Sequence, residues 1–234
     1  MSIKFGFKEI FSLFCIPLIF FIGFITESFN TGTYTKATVD TSLRIILFIA
    51  LFVMFKDYLA QEWNKFKNLK FYKWLIITAG AIFLQVIISI VNQFVPSVHT
   101  NEVVPNPSEN IDFLTVSTKL FYLLIFISIG PVVTSLIEDI AFRYTLLEKL
   151  LSKNIIFNVL LVLVNSALFG AIHYYNFGGS LINTIPYMFA GLFLNCIYLW
   201  TRNIWHVLLI HFFNNFVLSI GGILIIGIIR IIMN

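Results

Sequence analysis

The stretch WLIITAGAIFLQVIISIVNQF, residues 74–94, decides the fold, because it runs for 21 residues without one charged side chain. The hydrocarbon core of a bilayer is about 30 Å thick and takes about 20 apolar residues of helix to cross. A mostly apolar helix with no charge on any side needs either burial in protein or lipid around it. Working outward, further apolar runs of spanning length lie at 9–26, 41–59, 116–137, 155–173, 181–200 and 204–220, and a short last one at 222–233. The spacing therefore predicts an all-α, polytopic transmembrane helix bundle with seven to eight spanning helices.

Composition agrees. Of 234 residues 59% are apolar and 11% charged, with 27 Phe, where a soluble domain carries about 25% charge. Mean hydropathy is +0.94. No stretch between the runs is long enough to fold by itself, so the chain reads as a single transmembrane domain over 1–234 with its motif-bearing core at about 116–220. Cys15 and Cys196 sit in separate apolar runs, which points to neither a disulfide framework nor a CxxC pair.

In a membrane protein the formal charge of +4 speaks of topology and not of nucleic acid, which is not an expected partner. Lys56, Lys65, Lys67, Lys70 and Lys73 crowd the connection between the second and third runs, while 95–115 holds acids and His99 but no Lys or Arg. Basic connections face the cytoplasm. The N-terminus is then cytoplasmic, and Lys149, Lys153 and Arg202 fall on the same side, as does Arg230 if the last run crosses. Lys4 and Lys8 before the first run imitate a signal peptide, but residues 20–26 lack the small-residue cleavage pattern, so a retained helix is expected. The polar segment 101–110, with Pro105 and Pro107, reads as an outer loop. Gly130-Pro131 interrupts the fourth run, because proline removes a backbone donor.

Ionisable groups at membrane depth are costly, about 2.5–3.5 kcal/mol for Asp, Lys or Arg at a helix centre on insertion scales. Three clusters carry them. In Ile137-Glu138-Asp139-Ile140-Ala141-Phe142-Arg143 the helical spacing pairs Asp139 with Arg143 and turns Glu138 about 100° away. In Phe169-Gly170-Ala171-Ile172-His173 the first and last residues share a face, as do His211 and Asn215 in His211-Phe212-Phe213-Asn214-Asn215. Each has a plain alternative. The first is equally an interfacial charge cluster, His173 a packing residue, and His211 with Asn215 polar glue between helices. His206 is expected on another face at the interface, with no assigned function.

Taken in order, Glu138-Asp139-x-x-x-Arg143, Phe169-x-x-x-His173 and His211-x-x-x-Asn215 resemble the signature motifs of the CPBP family of intramembrane proteases, which spans type II CAAX prenyl proteases and bacteriocin-processing, Abi-like proteins. The run from Ala190-Gly191 through Trp200-Thr201-Arg202 is similar to that family's as well. The resemblance covers the second half of the chain. It departs at Asp139, where the family usually has a second glutamate.

The resemblance implies an endopeptidase acting on a membrane-associated peptide or protein, in a bacterial plasma membrane. Glu138 would activate a water, His173 orient it, and His211 and Asn215 stabilise the oxyanion, with Asp139 and Arg143 supporting. A rival chemistry uses Glu138, His173 and His211 as ligands of a catalytic zinc. Two non-proteolytic readings stay open. One is a catalytically inactive scaffold or bacteriocin self-immunity protein. The other is a proton-coupled carrier, although no pair of broken helices repeats in the two halves. At 1.5 Å per residue Glu138 and His173 stand about 21 and 30 Å from the turn at Ser152-Lys153-Asn154, so they meet only if the helices are kinked or staggered.

Overall fold

The computed structural model describes residues 5–29, 31–96 and 116–233; the outer loop expected at 101–110 and His99 lie outside them. Among the described residues every regular element is helical. The α-helices are α1 (Phe7–Ser28), α2 (Thr33–Lys67), α3 (Tyr72–Phe94), α4 (Thr118–Ile127), α5 (Ile129–Asp139), α6 (Ile155–Ala171), α7 (Ile185–Thr201), α8 (Ile204–Phe216) and α9 (Gly222–Met233), with short 3-10 turns at Tyr174–Phe177 and Ile182–Thr184 between α6 and α7. Six helical stretches are long and apolar enough to cross a membrane, and α6 is a shorter apolar helix. One of the six, Thr118–Glu148, joins α4, α5 and a π-helical stretch, Ile140–Glu148; another, Ile204–Ile232, joins α8 and α9 through a second one, Val217–Gly221.

The last apolar run is thus not a separate crossing. No turn residue breaks the chain after Gly221, and the helix carries on from α8. Arg230 accordingly reaches Val116 at the start of α4, donating to its carbonyl at 2.8 Å. That is the end of the bundle away from the Lys-rich turn, not the Lys-rich end reserved for it had the run crossed alone.

The break in the fourth run falls at Ser128, three residues before Pro131. Pro131 has no N–H for the Ile127 carbonyl one turn back. The Thr41 hydroxyl of α2 donates to it instead, at 3.2 Å. Gly130 lets α2 come that close, since a Cβ there would lie 3.0 Å from the same hydroxyl oxygen.

Polar side chains fix the helix ends. The Asn154 carboxamide oxygen accepts from the Ile156 and Phe157 amides and starts α6. Arg202 takes the left-handed conformation (φ 50°) that ends α7, and the Asn203 side-chain oxygen accepts from the Trp205 amide to open α8. The Asn203 side-chain Nδ2 also donates to the Glu62 carbonyl at 2.9 Å, and the Trp205 indole to the Leu59 carbonyl at 2.9 Å. These contacts tie the turn between α7 and α8 to the Lys-rich end of α2.

In the core, α5 packs on α8 and α2, α3 on α7 and α8, and α6 on α7. The α6–α7 contact depends on Gly170, where a Cβ would stand 2.6 Å from the Met188 backbone nitrogen. Backbone cannot yield as a flexible side chain does, and overpacking typically costs about 1–3 kcal/mol. Gly170→Ala is therefore expected to lower the unfolding midpoint of the purified protein by several degrees, whereas Gly23→Ala, with nothing within 4 Å, does not lower it.

Candidate active site

The three motifs are held on α5 and its π-helical extension, on the end of α6, and on α8. Asp139 ends α5 and Arg143 sits one turn on; both are fully buried, and Arg143 Nη1 lies 3.2 Å from Asp139 Oδ1. The sequence spacing predicted this pair. The second carboxylate oxygen reaches across 72 residues of chain: Asp139 Oδ2 is 3.3 Å from His211 Nδ1 of α8. Asp139 thus bridges Arg143 and His211, which accounts physically for a second acid at this position.

Phe169 is the centre on which the motifs converge. The Arg143 guanidinium lies 4.1 Å from its ring centroid, and the rings of Phe142, His173 and His211 stand around it at 5.5, 5.7 and 5.8 Å. An arginine over an aromatic face gains electrostatically when desolvated. Gly191 makes room, since a Cβ there would fall 2.8 Å from the Phe169 ring, and its carbonyl accepts from Arg143 Nη2 at 3.4 Å. Sequence reading treated Phe169 only as the companion of His173.

Glu138 is buried with 6% exposure, and among the described residues it makes no hydrogen bond or ion pair. It is near enough to His211, Asp139, Arg143 and Arg44 to feel their charges. His173 follows α6, half-buried, with its ring 4.6 Å from Tyr187 and Nδ1 3.3 Å from Asn176 Nδ2. Asn215 donates to the Pro131 carbonyl at 3.2 Å and accepts from Asn214 at 3.1 Å. One carboxamide N–H of Asn215 is thereby engaged at the helix break, leaving the other for a ligand.

His206, expected at an interface, is instead 2% exposed and packs edge-on against Phe66 at 5.1 Å. Its position one turn from the Asn203 cap places it where α2 covers α8, a tertiary contact that spacing along α8 does not reveal.

Sequence reading missed two further groups. Arg44 of α2, paired to Asp40 at 2.6 Å, donates to Thr134 Oγ1 at 3.1 Å, one turn before Glu138. An Asp and an Arg four apart at the head of an apolar run was the available signal. The second is a buried amide network: Asn165 donates to the Phe142 carbonyl at 2.9 Å, and Asn195 donates to Asn165 Oδ1 at 2.9 Å and Ser166 Oγ at 3.0 Å. The wider π-helical ladder leaves a carbonyl to be satisfied from outside, and Asn165 takes it one residue before Arg143. Asn195→Leu is expected to cost about 1–3 kcal/mol, the penalty for stranding buried polar partners, seen as a lower denaturation midpoint in detergent.

For zinc the donors do not assemble: among the described residues no group of three or more His, Cys, Asp or Glu side chains is placed to hold a metal ion. Asp139 occupies His211 Nδ1 and Asn176 meets His173 Nδ1, which leaves Nε2 as the free nitrogen of each ring.

Residues 118–217 match the family model described as type II CAAX prenyl endopeptidase Rce1-like. The match covers 100 of the 234 residues, and over them the chain is similar to that family. The match contains all three motifs, from Glu138 to Asn215, and so takes in α4 to α8. Comparison with curated proteins and with solved structures finds no match in either. Six helical stretches of spanning length mark the chain as an integral membrane protein, and over residues 118–217 it is similar to CAAX-type prenyl endopeptidases.

Proposed function

We propose that the chain is an intramembrane endopeptidase in which Glu138 activates water against a peptide bond of a membrane-associated peptide or protein. The observation that carries this reading is the contrast between adjacent acids. Asp139 is committed to Arg143 and His211, while Glu138 is buried among them with its carboxylate unpaired. Such a carboxylate is suited to take a proton, because no other bond has to break first.

In this mechanism Glu138 accepts a proton from the water as its oxygen bonds to the carbonyl carbon. The carbonyl electron pair moves onto oxygen. With Nδ1–H of His211 donated to Asp139, the doubly protonated ring is the form that presents Nε2–H to that oxyanion, and the second N–H of Asn215 is the other candidate donor. Glu138 then hands its proton to the amide nitrogen as the C–N bond breaks. His173, across Phe169 from His211, helps place the water. The family points to a prenylated CAAX C-terminus as the substrate class, and the Lys-rich turns would lie on the cytoplasmic side of a bacterial plasma membrane.

The test is release of a C-terminal fragment from a farnesylated peptide ending in a CAAX sequence, added to proteoliposomes of the purified chain and read by mass spectrometry. Cleavage that is lost in His211→Ala is expected. A folded wild-type protein that leaves prenylated and unprenylated peptides intact would favour the catalytically inactive scaffold or self-immunity protein.

A further inference from the structure

Helix α3 carries a row of polar residues on the outside of the bundle. Thr78, Gln85 and Asn92 are spaced seven apart, all three are exposed, and none makes a side-chain hydrogen bond among the described residues. Gln85 lies two residues from the middle of Tyr72–Phe94, about 3 Å at helical rise, with Thr78 and Asn92 about 10 Å to either side. All three fall within the roughly 30 Å hydrocarbon layer.

A carboxamide facing lipid has no partner, and its transfer into a medium that cannot hydrogen-bond costs about 4–8 kcal/mol. Polar groups in spanning helices ordinarily face protein or a water-filled cavity. The seven-residue repeat is also the geometry of a left-handed helix crossing, in which one face stays in contact over several turns. Beside the row runs a groove of about 420 Å³, bounded by Thr78, Ala81 and Gln85 of α3 and by Phe213, Asn214 and Val217.

We propose that a second copy of this chain covers this face, with the two α3 helices parallel across a two-fold axis normal to the membrane. Two copies inserted alike present each residue at its own depth. Such an axis therefore sets Gln85 opposite Gln85, and likewise Thr78 and Asn92. Carboxamides and hydroxyls both donate and accept, so each of the three levels is complementary to itself. An acyl chain offers no hydrogen bond, and an unrelated helix would need polar groups at three matching depths. Neighbouring side chains of the partner helix would fill the groove.

The experiment uses the full chain in liposomes, with subunit number read by single-molecule photobleaching over a range of protein-to-lipid ratios. Wild-type protein should pair, Gln85→Leu should weaken association about three- to twentyfold, the range of measured membrane hydrogen bonds, and Gln85→Asn should retain most of it. In a Cys196→Ser background, with Cys15 buried, Gln85→Cys should form an oxidised cross-linked pair. Phe83→Cys, which faces lipid about 200° around the helix, should not. A monomer at every ratio, an unchanged Gln85→Leu, equal cross-linking from Phe83→Cys, or capture of added substrate peptide in place of a second copy would overturn the proposal.

Discussion

Glu138→Gln is expected to slow peptide cleavage by about 10²–10⁴-fold, the usual contribution of a positioned general base, while leaving the folded protein as stable as before. The carboxamide has nearly the volume of the carboxylate but cannot take a proton at the pH of the assay. Stability should hold because Glu138, 6% exposed, has no hydrogen bond or ion pair among the described residues to lose. Removing a buried charge relieves desolvation, and the change leaves the Asp139 bridge to Arg143 and His211 in place. Glu138→Asp should fall between the two, because the acid is retained but drawn back by one methylene, and a misplacement of about 1 Å can cost about 10²-fold. Initial rates on the farnesylated peptide and thermal unfolding in the same detergent check both halves. A Gln variant that turns over at the wild-type rate would move water activation to another group.

The features legible in the sequence were those set by a single helix. Four-residue spacing was enough to pair Asp139 with Arg143 and to put Phe169 and His173 on one face, and hydropathy located the spans. Contacts between distant segments carried no such signal. Nothing in the spacing shows that Asp139 reaches His211, 72 residues away, or that Phe169 is shared by Arg143, His173 and His211. The π-helical stretch Ile140–Glu148 was invisible for a related reason. Its extra residue per turn is stabilised from outside, by Asn165 on the Phe142 carbonyl, and not by local propensity. The mismatch in depth between Glu138 and His173 was a real clue that helices must be staggered. Phe169, 14 residues into α6, does meet His211, only 7 residues into α8. Apolar spacing alone left open whether the last run crosses by itself, and Gly221-Gly222 proves to sit inside continuous helix.

Arg143→Met is expected to be the most destabilising change in the motifs, at about 3–5 kcal/mol, because it leaves Asp139 as a buried charge without its main partner. Arg143 is fully buried, and its guanidinium serves three contacts at once: Asp139, the Gly191 carbonyl and the Phe169 ring. Lysine is no substitute, since one ammonium cannot reach a carboxylate and a carbonyl while lying flat on an aromatic face. Charge and packing are separated by the double change Asp139→Leu with Arg143→Met. If the cost of the single variant is the stranded charge, the double variant recovers most of the lost stability, and the cycle shows a coupling well beyond the few tenths of a kcal/mol of independent sites. Activity should not return with it. Without Asp139, Nδ1 of His211 loses the acceptor that fixes the ring, and Nε2 no longer points reliably at the oxyanion. A double variant as unstable as the single would trace the loss to the Phe169 packing. A double variant as active as wild type would remove Asp139 from the mechanism and leave its bridge a purely structural one.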